Sequence, residues 1–211
     1  MAYTKIIYDN SYRGYPLLSQ ESYLVKGYRA IILDKLIERY EDAFLRFGKV
    51  LLVRLTIRFP DGLKTIPDNA CFQHFVELYM ETLRKFGLHY IWCVEQSFSE
   101  NFHYHLYLFL NGGNGGLHYF LYPIDANRIW SHTLKLFYGI EAFPAGLVHL
   151  GNGGFQGTPM NNGMIIPSGH LPLIQEGFRC CSYIAKVYTK ENLPPGLREF
   201  NCSLMKGGAA C

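Results

Sequence analysis

Two imidazoles one residue apart in an otherwise apolar run are the first feature of this sequence that could do chemistry. The run is Glu95 to Asn111, EQSFSENFHYHLYLFLN, in which Tyr104 separates His103 from His105. In a strand successive side chains alternate, so both histidines project from one face. Tyr104, Leu106, Leu108 and Leu110 take the opposite, hydrophobic face. Imidazoles about 7 Å apart along a strand can close on one metal ion if the next strand supplies a third ligand. Glu95, eight residues before His103, lies within reach across a short, mostly polar connection. Its carboxylate is a hard oxygen donor and favours Mg2+ or Mn2+ over a soft-ligand metal. The competing reading is a pair of packed, hydrogen-bonded histidines, and the pair alone does not decide between the two.

A second chemical feature follows in Cys181 to Lys190, CSYIAKVYTK. On a helix Tyr183, Lys186 and Lys190 share a polar face, while Cys181, Ile184 and Tyr188 share an apolar one. Tyr183 is then either a surface aromatic whose hydroxyl meets solvent or a nucleophile. A phenol has a pKa of about 10, so it needs a neighbouring cation such as Lys186, or a polarised electrophile, to react near neutrality. Tyr188 belongs with the core.

The elements that must position these groups follow from hydrophobic period. Glu21 to Phe47 reads as one long helix with a stripe of Leu24, Tyr28, Ile32, Leu36, Tyr40, Phe44 and Phe47, Ile31 beside it and Gly27 as a point of weakness. Val50 to Phe59 alternates as a strand, with Leu51, Val53, Leu55, Ile57 and Phe59 inward and Leu52, Arg54, Thr56 and Arg58 on a basic face. A second helix runs from Asp68, as N-cap, to Phe86, where Gly87 stops it. Strands over Tyr90 to Gln96 and His103 to Leu110 come next, then a GGNGG loop, and then a helix from Asp125 to Tyr138 with Phe137 among its inward residues. Leu147 to Leu150 reads as a last strand, Gly151 to Gln175 as an uncharged loop, and Gly177 to Lys190 as the final helix. The tail from Gly196 reads as poorly ordered.

This order, β-α-β-β-α-β plus flanking helices, is α+β. It predicts an antiparallel sheet of split βαβ type with helices on one face and the other face left free to bind. The divisions expected are an N-terminal helical extension over 1–48, a main domain over 49–192 and a tail over 193–211.

Composition bounds the rest. With 211 residues, 49% hydrophobic and 16% aromatic, the chain has the material for a sizeable core and is not a disordered chain. A net charge of only +3 excludes a histone-like polycation but leaves room for a local basic face. Six cysteines without a CxxC give neither a zinc ribbon nor a regular disulfide framework. No leader-like or membrane-spanning stretch occurs, so the expectation is a reduced, cytoplasmic protein.

Taken together, His103-Tyr104-His105 and Tyr183-x-x-Lys186 resemble the His-hydrophobic-His and YxxK motifs of HUH endonucleases. That superfamily includes rolling-circle replication initiators, relaxases and single-tyrosine transposases. WCVEQSFSENFHYHLYLFLNG and YIAKVYTK are most similar to the YagK/YfjJ-type replication proteins of inoviruses and their prophages, and the resemblance spans about Val50 to Lys190. It departs in the longer gap from His105 to Tyr183 and in a loose first motif over Val50 to Phe59.

The resemblance implies a bacterial host's cytoplasm, and Mg2+ or Mn2+ on Glu95, His103 and His105. It implies Tyr183 as nucleophile forming a 5′-phosphotyrosine and Lys186 as its charge-steadying partner. The implied partners are single-stranded or hairpin origin DNA and a host helicase. Arg54, Arg58, Tyr107 and Lys190 become the expected DNA contacts, with Phe109 beside Tyr107 as a base-stacking surface. Their alternatives are a solvated basic edge and a second small core. A non-nicking DNA-binding regulator on the same fold, a single-tyrosine transposase and a non-nucleic-acid metal hydrolase are the competing functions.

Overall fold

The structure, a computed structural model, describes residues 5–18, 26–66, 68–96, 101–113, 121–140, 146–150 and 163–205. The first part of the expected long helix (21–25), most of the polar connection before His103 (97–100) and the first part of the uncharged loop (151–162) lie outside the described residues. So do the rest of the GGNGG loop from Asn114 and the end of the tail.

Near the N-terminus β1 (Ile6–Ile7) pairs with β4 (Tyr28–Arg29), and β2 (Ser11–Tyr12) pairs with β3 (Tyr15–Pro16). Helix α1 (Ala30–Phe47) leads into β5 (Lys49–Arg58), and α2 (Ala70–Leu83) into β6 (Leu88–Glu95) and β7 (His103–Asn111). Then come α3 (Leu121–Tyr138), β8 (Val148–Leu150), β9 (Met164–Pro167), α4 (Leu171–Cys181) and β10 (Phe200–Cys202). The main sheet runs β10-β6-β7-β5-β8, with β9 also on β5, and every pairing is antiparallel. The fold is therefore mixed, with a largely antiparallel sheet and four α-helices among the described residues.

The alternation of β5 explains the layers. Leu51, Val53, Leu55 and Ile57 meet Trp92, Val94, Tyr104, Leu106, Leu108 and Leu110 on one face, where α2 and α3 add Phe72, Phe75, Tyr79 and Trp130. The other face was expected to be open; Glu95, Thr56 and His105 in its polar half are buried, and its other half is closed by helices. Val50 and Leu52 of β5, Ile91 and Cys93 of β6, and Tyr107 and Phe109 of β7 make that half apolar, and α1 and α4 cover it. The apolar residues at one end of the face require a cover. The polar residues Arg54, Thr56, Arg58, His103, His105 and Glu95 lie toward its other end. Residues 30–47, expected within an appended extension, are thus a packed layer on this sheet.

Helix α1 begins at Ala30, later than its hydrophobic period suggests, because Gly27 has φ +93° and Tyr28–Arg29 pair as a strand. Its buried stripe runs through Ile32, Leu33, Leu36, Ile37 and Tyr40, while Ile31 is exposed. Gly48, at φ 64°, ends it by bonding to the Phe44 carbonyl. In α3, Phe137 is exposed rather than inward.

Two further departures concern segments read as irregular. Met164–Pro167 extends the sheet along the first half of β5, and α4 starts at Leu171, where the His170 ring accepts from the Leu173 N–H at 3.2 Å. The tail pairs with β6 as β10 and is clasped there. Arg39, wholly buried, donates twice to the Ser203 carbonyl at 3.0 and 2.9 Å. His89 Nδ1 lies 3.1 Å from Ser203 Oγ, and its Nε2 lies 2.6 Å from Asp42.

Gly27 ties the N-terminal segment to the far end of the chain. Its carbonyl accepts from the Val187 N–H at 3.0 Å, and Tyr28 forms a β-bridge with Lys186. A Cβ at residue 27 would lie 2.6 Å from Ile6 Cγ2 and 3.0 Å from the Ile7 carbonyl oxygen, at a φ that L residues rarely adopt. Gly27→Ala is therefore expected to cost about 1–3 kcal/mol of stability, read from urea unfolding midpoints.

Candidate metal and tyrosine centre

Register brings the polar residues together. Across β6 and β7, Glu95 pairs with His103 and Cys93 with His105; across β5 and β7, Arg58 pairs with His103, Thr56 with His105 and Arg54 with Tyr107. Both imidazoles turn their Nε2 atoms to the same carboxylate oxygen. His105 Nε2 is 3.1 Å and His103 Nε2 3.3 Å from Glu95 Oε2. One ligand atom from each of the three residues lies within 4.8 Å of the others. Glu95 is wholly buried, His105 nearly so, and His103 is half-buried at the edge.

The protonation states suit a cation. Burial pushes the His105 imidazole down to about 3 despite the opposing carboxylate, so at neutral pH the ring is uncharged. Burial alone would raise the Glu95 carboxyl, but His105, Lys190 and the hydrogen bonds of both histidines hold it well below the usual carboxylate range. A buried carboxylate beside the uncharged His105 ring and the second imidazole of His103 is a donor set for a divalent ion. These residues could hold a metal.

Thr56 orients the site. Its Oγ1 lies 3.2 Å from His105 Nδ1, leaving Nε2 to face the carboxylate. A hydroxyl can donate or accept, so it serves either tautomer of that ring. Thr56→Val should keep the strand and weaken Mn2+ binding about 10–100-fold, the usual cost of losing such an outer hydrogen bond. Calorimetric titration checks this.

Tyr183 and Lys186 arrive by a route different from the expected helix. Helix α4 ends at Cys181; a 3-10 turn carries Ser182–Ala185, Lys186 is extended at φ −58°, ψ 143°, and a second 3-10 turn covers Tyr188–Lys190. The bridge to Tyr28 and the Val187 bond to Gly27 take the backbone groups that a continuing helix would need. Ser182 Oγ accepts from the Leu18 N–H at 3.0 Å and donates to the Arg179 carbonyl at 2.7 Å, fixing the turn before Tyr183.

The Tyr183 ring packs edge-on against His105, with centroids 5.3 Å apart. The Arg54 guanidinium lies 4.5 Å from its centroid on the sheet side. Lys186 Nζ donates to the Tyr183 hydroxyl and also stands 3.3 Å from Glu95 Oε2. Burial and the Glu95 carboxylate push the phenol above its ordinary value, against Arg54. Burial pushes the Lys186 ammonium down, opposed by the same carboxylate.

The other expected contacts divide. Arg58 is exposed and Arg54 half-buried at the polar end of the face. Lys190 does not face outward: its side chain is 0% exposed, with Nζ 3.4 Å from Glu95 Oε1 and 3.1 Å from the Lys186 carbonyl. Tyr107 is 1% exposed and its hydroxyl donates to the Cys180 carbonyl, so its ring is core and offers no surface to a base. Phe109 is buried in the same cluster. Tyr188, expected in the core, is half-buried with Lys26 5.8 Å from its ring centroid. His149 went unnoticed in the sequence: it pairs with Thr56 from β8, on the face of the histidine pair.

Residues 8–119, more than half of the chain, match the sequence pattern of the YagK/YfjJ C-terminal domain. The chain belongs to that family. The YagK/YfjJ match takes in Glu95, His103 and His105 and stops before Tyr183. No curated protein and no solved structure matches the chain. Among the described residues no helix is long and apolar enough to cross a membrane.

Proposed function

We propose that this YagK/YfjJ-family protein is an HUH-type, metal-dependent DNA nicking and joining enzyme that initiates rolling-circle replication. The observation carrying the reading is the convergence of Tyr183 and Lys186 on the Glu95–His103–His105 group, from segments far apart in the chain. The strand order β6-β7-β5-β8, with α2 and α3 on one face, supports it as the order of a split βαβ fold.

Mg2+ or Mn2+ on the three ligands would supply Lewis acidity to a scissile phosphodiester. Tyr183 Oη attacks phosphorus in line, the bond to the 3′ oxygen breaks, and the 5′ phosphate remains on the phenol oxygen. The departing 3′ oxygen takes up a proton and becomes a priming 3′-OH, while the phenol proton passes to solvent. Lys186, already bonded to that hydroxyl, steadies the phenolate charge as it develops. The phosphotyrosine conserves the phosphodiester bond energy, so rejoining needs no nucleotide. Arg58 and Arg54 flank the approach and contact backbone phosphate.

The test is incubation of the full chain with labelled single-stranded and supercoiled DNA, with and without Mn2+, resolved on a denaturing gel. Mn2+-dependent nicks with a covalent protein–DNA band are expected. Their absence on every substrate overturns the reading.

A further inference from the structure

The sole carboxylate among the three ligands already has two cations on it. Lys186 Nζ lies 3.3 Å from Glu95 Oε2, the oxygen that faces both histidines, and Lys190 Nζ lies 3.4 Å from Oε1. Neither lysine can leave easily. Lys190 is enclosed and bonded to the Lys186 carbonyl at 3.1 Å, and Lys186 sits at the bridge to Tyr28. The Arg54 guanidinium adds a third positive charge 4.5 Å from the Tyr183 ring centroid. Among the described residues, the one carboxylate of the ligand group therefore meets two lysines before any metal arrives.

We infer that these lysines make metal binding conditional on a phosphodiester: the free protein holds a divalent ion weakly, and the ion and DNA phosphate bind cooperatively. The inference rests on the nuclease reading above. A dication entering at Oε2 competes with Lys186 for that oxygen and adds two charges to a positive, buried pocket. Such a pocket screens poorly, so the repulsion is not dissipated into solvent. A phosphodiester anion supplies the missing negative charge. Linkage then requires that the ion tighten DNA by the same factor by which DNA tightens the ion. Lys190 is a positioning residue: it holds Oε1 and leaves Oε2 as the ligating oxygen.

Mn2+ is titrated calorimetrically into the full chain carrying Tyr183→Phe, which prevents turnover. The three arms are protein alone, protein with saturating single-stranded oligonucleotide, and protein with the same oligonucleotide carrying neutral methylphosphonate links. Mn2+ affinity is expected to rise about 10–100-fold with the phosphodiester and not with the neutral analogue. Adding Lys190→Met should tighten Mn2+ in the free protein and shrink the enhancement; Lys186→Met serves as a second variant should the first not fold. Equal Mn2+ affinity with and without DNA, or lysine variants that fold but leave the free-protein affinity unchanged, overturns the linkage while the nuclease reading stands. Failure to bind Mn2+ in any arm overturns both.

Discussion

Tyr183→Phe is expected to abolish the covalent protein–DNA adduct and lower nicking on the order of 10^4–10^6-fold, the usual scale for removing a nucleophile. The fold should survive, because the ring's contacts with His105, Arg54 and Lys186 need no hydroxyl except for the one Lys186 bond. Mn2+ affinity in the presence of DNA should persist as well, since the phenol is not one of the three ligands. A labelled oligonucleotide on a denaturing gel reads the adduct, and calorimetry reads the metal. A covalent band that persists in the variant would reassign the nucleophile.

Tyr188→Phe is the control. On an uninterrupted helix Tyr188 would lie about 140° around from Tyr183. The chain is not a helix there, so the contrast rests on contacts instead. Tyr183 touches His105, Lys186 and Arg54, whereas Tyr188 lies near Lys26, which pairs with Glu191 at 3.3 Å. The Tyr188→Phe protein should keep the adduct. Loss of the band in this variant alone would reverse the two roles.

Local period carried much of the fold. The alternation of Val50 to Phe59 and of His103 to Leu110 fixes which side chains share a face, and the structure keeps both faces as read. Glu95, His103 and His105 were legible as a group because strand register needs only a short connection between neighbours. Thr56 stood on the same face in the alternation, but its bond to His105 depends on a cross-strand pairing that sequence period does not specify.

Three things were hidden for physical reasons. Half of the supposed free face is apolar, yet only tertiary packing says that α1 and α4 are what cover it. The break at Lys186 comes from a bridge to Tyr28, a contact spanning most of the chain, which overrides the local helical pattern. Lys190 has the composition of a surface residue, and lysine is rarely buried unless paired. Its burial follows from Glu95, which it meets from a distant segment. That pairing turns an expected DNA contact into part of the centre.

The same pairing sets the largest stability effect. Glu95→Leu should destabilise the protein by about 3–5 kcal/mol, because removing one partner of a buried ion pair strands the other charge. Here the stranded group is principally Lys190, whose side chain is 0% exposed; Lys186, 9% exposed, is nearly as enclosed. Lost volume is a small part of the effect, since leucine is close in size to glutamate. Replacing both partners should therefore recover most of the loss, as Glu95→Leu with Lys190→Met leaves a single partly relieved ammonium at Lys186. Urea unfolding of the wild type, the single variant and the double variant measures this, provided the slope with denaturant stays constant. Neither variant should bind Mn2+, since both lack the carboxylate. A single variant as stable as the wild type would mean that the lysines are neutral or hydrated in the folded protein. A double variant no more stable than the single one would assign the loss to packing rather than to charge.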